Sequence, residues 1–263
     1  MSPIAVPGWD GDALAGATGR GVRVGVIDSG WDRAQPEPRV RPGIAILRLD
    51  GPGGARRAGD DGDRFGHGTA CADLVLRVAP DAEVVPVRVF NDALETSPGV
   101  LAAAIRWSVD AGLQVLNLSL GTCDPAGLPA LYAACEYARR RRVVVVAAAH
   151  AEHGASAPAV FDNVLSVGAL AGNNRFRVVY RPGEAVECLA HAIHTDVRWL
   201  GGERVLVAGT SYAAPIVTGA VARMRELHPE ADLAAVRALL ARHWPSPAHA
   251  DSHPLAQAAC ERV

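Results

Sequence analysis

The chain has 263 residues, 49% of them hydrophobic, and a formal net charge of −2. A chain of this length can bury a large core, and we predict a single domain over residues 1–263. The nearly neutral charge argues against nucleic acid or an anionic membrane as partner, and no apolar run is long enough to span a bilayer.

Residues 1–20 lack the basic-then-apolar layout of a secretion signal, and the five cysteines show no paired spacing. We therefore expect a cytoplasmic protein with reduced thiols rather than a disulfide framework.

The first predicted strand, residues 22–28, is apolar and ends at the carboxylate of Asp28. Residues 30–63 are rich in Pro, Gly and Arg, with one apolar run at 44–47, and we predict a mobile loop over residues 52–63. This loop leads to His67, which lies between two glycines at the start of a helix-like run.

Strands and helices then alternate. A strand is predicted over 84–90, followed by a helix that begins at Ser97-Pro98 and ends at Gly112. Further strands are predicted at 115–118, 143–149 and 164–168, with a helix running to residue 142. The run at 143–149 is wholly apolar, as is typical of a parallel strand buried on both faces. The pattern predicts an α/β fold, a three-layer α/β/α sandwich with a mostly parallel central sheet.

Near the end of the chain, an apolar run at 205–208 precedes Gly-Thr-Ser-Tyr-Ala-Ala-Pro at 209–215 and a helix-like segment at 213–227. Ser211 is therefore predicted at a strand-to-helix turn, where the helix N-terminus favours a developing negative charge. Taken alone, these seven residues fit an ordinary helix cap equally well.

A serine hydroxyl becomes a nucleophile when a histidine takes its proton and a carboxylate orients that histidine. Asp28, His67 and Ser211 occur in the order of the subtilisin triad. With the residues around them, they make the chain resemble the subtilisin-like serine peptidase (subtilase) family over about residues 21–243. The resemblance implies that these three side chains are catalytic.

The resemblance also implies that Ser119, Leu120 and Gly121 belong to a strand that pairs with an extended peptide substrate. Residues 94–96 stand where the opposing strand would be. The alternation of Leu118 and Leu120 fits a pocket or a core strand end equally. Cys71 is expected to be a small buried core residue, and Asp73, where the family usually has glycine, is expected to alter the packing of its helix.

One departure from the family's sequence pattern affects the oxyanion site. Ala151 stands where the family carries the asparagine that donates to the oxyanion, and loss of such a donor costs about 10²–10³ in kcat. His153 is the favoured replacement for this donor, and His150 is the second candidate. This His pair lacks a third convergent ligand, and the family's calcium loop after the histidine is shortened, so we predict no metal and no cofactor.

These features predict a serine endopeptidase that acts on a narrow peptide or protein substrate. One such role is the removal of a leader from a biosynthetic precursor, which we infer from size and setting. Two alternatives stay open. One is a degenerate subtilase that serves as a peptide-binding scaffold, and the other is a transpeptidase or esterase that uses the same acyl-enzyme. The oligomeric state is not predictable from the sequence.

Overall fold

The computed structural model describes residues 14–49, 55–58, 61–149, 156–171 and 176–245. Eleven strands occur in this part of the chain: β1 Arg23–Asp28, β2 Ile44–Leu49, β3 Ala55–Ala58, β4 Glu83–Arg88, β5 Val115–Leu118, β6 Val144–Ala148, β7 Leu165–Leu170, β8 Val178–Tyr180, β9 Cys188–His191, β10 Thr195–Arg198 and β11 Arg204–Val207. The α-helices described are α1 His67–Val78, α2 Pro98–Asp110, α3 Leu128–Arg140, α4 Thr210–Leu227 and α5 Leu233–His243. None of them is long and apolar enough to cross a membrane.

Nine strands form one sheet in the order β3-β2-β4-β1-β5-β6-β7-β9-β8. The seven strands from β2 to β9 in this order pair in parallel, and only β3 and β8, at the two edges, are antiparallel to their neighbours. The predicted mostly parallel sheet is confirmed. Because β1 and β5 are neighbours, the residues that follow them lie close together at one end of the sheet.

The sheet separates two hydrophobic cores. Successive residues of β6 alternate between them, with Val144 and Val146 in the core of α1, α4 and α5, and Val145 and Ala147 in the core of α2 and α3. All four are at most 1% exposed, as expected for a strand covered on both faces. This is the predicted α/β/α sandwich.

The predicted limits of α2 are also confirmed. The Ser97 hydroxyl accepts a hydrogen bond from the backbone N–H of Val100, and Pro98 opens the helix. Gly112 follows the helix with φ of 76°, in the left-handed region that glycine adopts without strain.

The predicted loop over residues 52–63 is wrong in part. Residues 55–58 form β3, which pairs antiparallel with β2 at the sheet edge. The run Ala-Arg-Arg-Ala has no apolar alternation, so its backbone pairing with β2 left no signal in the sequence.

The strand before Ser211 lies outside the main sheet. β11 pairs with β10 alone, in a separate antiparallel hairpin outside the main sheet. Leu206 is 67% exposed, whereas Val205 and Val207 pack against a small buried cluster that contains Leu74 and Val197. Helix α4 begins at Thr210, so Ser211 lies within the first helical turn rather than before it.

Candidate active site

Asp28 is the last residue of β1, and its side chain is completely buried. Its Oδ1 accepts hydrogen bonds from the Ser29 backbone N–H at 2.7 Å and from His67 Nδ1 at 2.8 Å. A carboxylate can only accept, so Nδ1 carries a proton and Nε2 is the basic nitrogen of the neutral ring. The buried Oδ2 has no hydrogen-bond partner in the described part of the chain.

His67 is the first residue of α1, and two acceptors from outside the helix bind the N–H groups of its first turn. The Gly68 N–H donates to the Ser29 hydroxyl at 2.8 Å, and the Thr69 N–H donates to Asp63 Oδ2 at 2.9 Å. These groups have no intrahelical acceptor, so the two bonds fix where the helix begins. Ser29 therefore couples the Asp28 strand to the His67 helix.

Asp63 is a site-supporting residue that the sequence analysis missed. Its Oδ1 accepts from the N–H groups of Phe65 and Gly66, both at 2.9 Å, and its Oδ2 also accepts from the Thr69 hydroxyl at 2.7 Å. The available signal was an aspartate four residues before the histidine and three before Gly66, the helix N-cap. Gly66 itself has φ of 95°, and a Cβ there would lie 2.3 Å from the Trp199 ring.

The pKa of His67 is set by two opposing causes. Burial lowers it, because it disfavours the charged ring, but the Asp28 carboxylate raises it by charge attraction and hydrogen bonding. The net result is a pKa well above 6.5. The imidazole remains 26% exposed, so a substrate can reach it.

Ser211 is held against the same cluster by its backbone. Its carbonyl accepts from the Ser119 hydroxyl at 2.7 Å and from the Cys71 thiol at 3.7 Å. The Cys71 sulfur is also 3.9 Å from His67 Nδ1, and the Tyr212 ring packs against the imidazole at 5.3 Å between centroids. Asp28, His67, Ser119 and the Ser211 backbone thus meet at the ends of β1 and β5.

Cys71 is buried, as predicted, and burial raises the pKa of its thiol, which leaves it protonated at neutral pH. Asp28, His67 and Cys71 are the one group of three potential metal ligands found among the described residues, with ligand atoms within 4.8 Å of one another. The carboxylate and imidazole are already hydrogen-bonded to each other and the thiol is neutral, so this cluster fits acid–base chemistry better than a cation.

The three residues of the predicted substrate strand, Ser119 to Gly121, come directly after β5. The side chain of Ser119 is turned toward the Ser211 carbonyl, and Leu120 is 7% exposed within the core of α2 and α3, which favours its core interpretation. Gly121 lies against the neighbouring segment, since a Cβ there would be 2.9 Å from the Ala157 carbonyl oxygen. Thr122 and Ala157 exchange two backbone hydrogen bonds of 2.8 and 2.9 Å.

Residues 94–96 do not form an opposing strand. The Asn91 side chain accepts from the N–H groups of Ala93 and Glu95, both at 2.9 Å, and Leu94 has φ of 58°. This segment closes into a tight turn.

His150, Ala151 and His153, the residues of the predicted oxyanion site, lie outside the described residues.

Asp73, in the middle of α1, is bound by groups from its own helix and from the β10–β11 hairpin. It is 6% exposed and accepts from the Arg77 guanidinium at 2.6 Å and from the Arg198 backbone N–H at 3.0 Å. Arg204 approaches the same carboxylate at 3.4 Å. The carboxylate therefore ties α1 to the β10–β11 hairpin, which leads directly to Ser211.

Comparison with known proteins agrees with this geometry. The profile described as "Subtilase family" matches residues 19–253. The chain belongs to the subtilase family. It is 33% identical to Subtilisin Savinase of Lederbergia lenta over 81% of this chain and 80% of that protein. It is equally identical to an alkaline protease of Alkalihalobacillus alcalophilus, but spans only 56% of that relative's length.

Solved structures show the same fold. A protease from Pseudoalteromonas arctica matches with a TM-score of 0.71 and 23% identity, over 89% of this chain and 84% of that one. A cold-adapted subtilisin-like serine proteinase matches with a TM-score of 0.70 and 22% identity, over 85% and 82% of the two chains.

Proposed function

We propose that this chain is a serine endopeptidase in which Ser211 is the nucleophile, His67 the general base and Asp28 the group that orients the base. The observation that carries the proposal is a group of contacts around the buried Asp28 carboxylate. His67 is hydrogen-bonded to the buried Asp28 at 2.8 Å, and the Cys71 thiol next to it contacts both His67 and the Ser211 backbone. This arrangement supports a base and a nucleophile in adjacent positions.

The chemistry follows from the proton positions. His67 Nε2 takes the proton of the Ser211 hydroxyl as the oxygen attacks the peptide carbonyl carbon, and the Asp28 carboxylate stabilises the imidazolium that forms. The same proton is then given to the leaving amine as the C–N bond breaks. A water molecule, deprotonated by the neutral His67, attacks the acyl-enzyme, and the acid product leaves with Ser211 restored.

The substrate proposed is a peptide in extended conformation along Ser119–Gly121. A narrow substrate range and leader removal from a precursor peptide remain predictions from the sequence. Incubation of the purified chain with a mixed peptide library, followed by mass spectrometry, tests the proposal. We expect internal cleavage at a restricted set of sites. Addition of a primary amine as competing nucleophile distinguishes acyl transfer from hydrolysis, and a folded chain that cleaves nothing contradicts the proposal.

The oxyanion donor is the least conventional part of this mechanism. N–H groups in the first turn of a helix have no intrahelical acceptor, so the Ser211 N–H is one available donor. With a single donor, water must stabilise much of the negative charge on the oxygen of the tetrahedral intermediate. We propose that a histidine imidazole supplies the second donor, with His153 favoured over His150, because His150 comes directly after the buried strand.

The variants His153→Ala, His150→Ala and Ala151→Asn test this donor. We expect at least a tenfold drop in kcat, about 1.4 kcal/mol, in one histidine variant, and recovery when Ala151→Asn is added. If neither histidine matters and Ala151→Asn alone confers activity on an inert protein, the chain is a peptide-binding scaffold instead.

A further inference from the structure

The carbonyl group of Ser211 lacks its normal helical partner. In an α-helix this carbonyl would accept from the N–H of the residue four positions later, and that residue is Pro215, which has no N–H. The first turn of α4, which carries the nucleophile, is therefore one hydrogen bond short. The Ser119 hydroxyl of the neighbouring strand end donates to this carbonyl at 2.7 Å instead.

The Ser119 hydroxyl is in turn held by a chain of side chains whose proton directions can be assigned. Its single proton is used on the Ser211 carbonyl, so it accepts from Asn117 Nδ2 at 3.0 Å. The amide oxygen of Asn117 then faces the Thr218 hydroxyl at 3.0 Å and accepts from it. Thr218 is also 2.9 Å from the Ala214 carbonyl, so its one proton is shared between two acceptors.

This chain of hydrogen bonds begins and ends on the same helix. Thr218 of α4 binds Asn117 of β5, Asn117 binds Ser119 just after that strand, and Ser119 binds the Ser211 carbonyl of α4. The exposure of the three side chains is 0%, 0% and 4%, respectively. Hydrogen bonds in series polarise one another and are stronger where water is excluded, so the orientation of each group depends on the one before it.

We propose that Asn117 and Thr218 are positioning residues for the nucleophile. They fix the Ser119 hydroxyl on the Ser211 carbonyl in place of the hydrogen bond that Pro215 removes. The first turn of α4 is thereby held at a set distance from His67, which belongs to a different helix. A misplacement of about 1 Å at a reacting group can cost 10²-fold in rate, so the effect falls on turnover rather than on substrate binding. This inference rests on the proposed peptidase function.

The test compares Thr218→Val, which removes only the hydroxyl from a side chain of equal size, with Thr218→Ser, which keeps it. We expect at least a tenfold loss of kcat and of the rate of fluorophosphonate labelling in Thr218→Val, with KM changed less than twofold. Thr218→Ser should retain most of the wild-type rate. If Thr218→Val does not fold, Ser119→Ala removes the final donor directly, and the same loss of kcat is expected.

Ser108→Ala is the matched structural control. Ser108 is also completely buried in a helix and donates to the carbonyl four residues earlier, that of Ala104, at 2.8 Å, but it lies in α2 on the other face of the sheet. It should lower the melting temperature about as much as Thr218→Val and leave kcat unchanged. If Thr218→Val, Thr218→Ser, Ser108→Ala and the wild type all have the same kcat, the positioning role is refuted while the proposed function stands. A folded wild type that is neither labelled nor active refutes the proposed function and this role together.

Discussion

The Asp28–His67 pair sets the protonation state on which the mechanism depends. Burial is the largest single effect on the pKa of His67 and lowers it, but the interactions with Asp28 and Cys71 together raise this pKa well above 6.5. The base is therefore available only at a pH above this raised value. By linkage, the pair stabilises the folded chain fully below pH 6.5, and this contribution is lost as the pH rises through the raised pKa.

We predict that kcat rises with pH with a midpoint above 6.5. An unperturbed histidine would give a midpoint near 6.5, and the interactions of His67 in the site raise it. In Asp28→Asn, burial acts on the imidazole without the compensating carboxylate, so the midpoint should move to lower pH while kcat falls sharply. A pH–rate profile of both proteins, with NMR titration of the imidazole, measures this. A wild-type midpoint at or below 6.5 would contradict the account.

The sequence was sufficient to propose the three catalytic side chains but not the residues that hold them. Asp28, His67 and Ser211 occur in short motifs whose residue types indicate a carboxylate, a base and a nucleophile. The role of Thr218 depends instead on Asn117 lying opposite it on β5, more than 90 residues away, and this proximity is visible only in the folded chain. Leu120 could not be assigned either, since a buried strand end and a pocket wall have the same composition.

Among the elements, α1 depends most on a residue outside it. Asp63 accepts four hydrogen bonds around the start of this helix, two of them from Thr69 in its first turn. We predict that Asp63→Ala lowers the free energy of unfolding by about 1–3 kcal/mol and also reduces kcat, because the position of His67 follows the helix start.

The control for this prediction is Asp232→Ala. The Asp232 side chain caps α5 by accepting from the Ala235 N–H at 3.0 Å, in a part of the fold that does not contact the site. Asp232→Ala should lower the free energy of unfolding, measured with denaturant, by about 0.5–2 kcal/mol and leave kcat unchanged. If the two variants affect kcat alike, Asp63 has no role beyond stability.

The β10–β11 hairpin is the second element on which the site depends, because it leads into α4. We predict that Asp73→Ala lowers the free energy of unfolding by about 1–3 kcal/mol, since Arg77, Arg198 and Arg204 all lose a nearly buried acceptor. Asp196→Ala removes an exposed partner of Arg204 and should cost less than about 1 kcal/mol. Thermal and denaturant unfolding of the two variants compares them directly, and equal losses would argue against Asp73 as the anchor of the hairpin.

At the scale of the whole molecule, the strand order explains why the site forms where it does. β1 and β5 are neighbours, so Asp28 at the end of β1 lies near Ser119, which follows β5. Helices α1 and α4 cover the same face of the sheet and bring His67 and Ser211 to that end. The apolar runs of β1, β5 and β6 were predictable because strands buried on both faces leave a continuous signal. The pairing of β11 with β10 was not predictable, because an apolar run does not indicate which strand it pairs with.

The central claim is that Ser211 is a nucleophile activated by His67. It is tested most directly by labelling the folded chain with a fluorophosphonate above pH 7 and locating the adduct by peptide mapping. We predict a single adduct on Ser211, no adduct in Ser211→Ala despite an unchanged melting temperature, and a labelling rate reduced at least a hundredfold in His67→Ala. Wild-type protein that stays unlabelled while folded, or an adduct that persists in Ser211→Ala, would contradict the account.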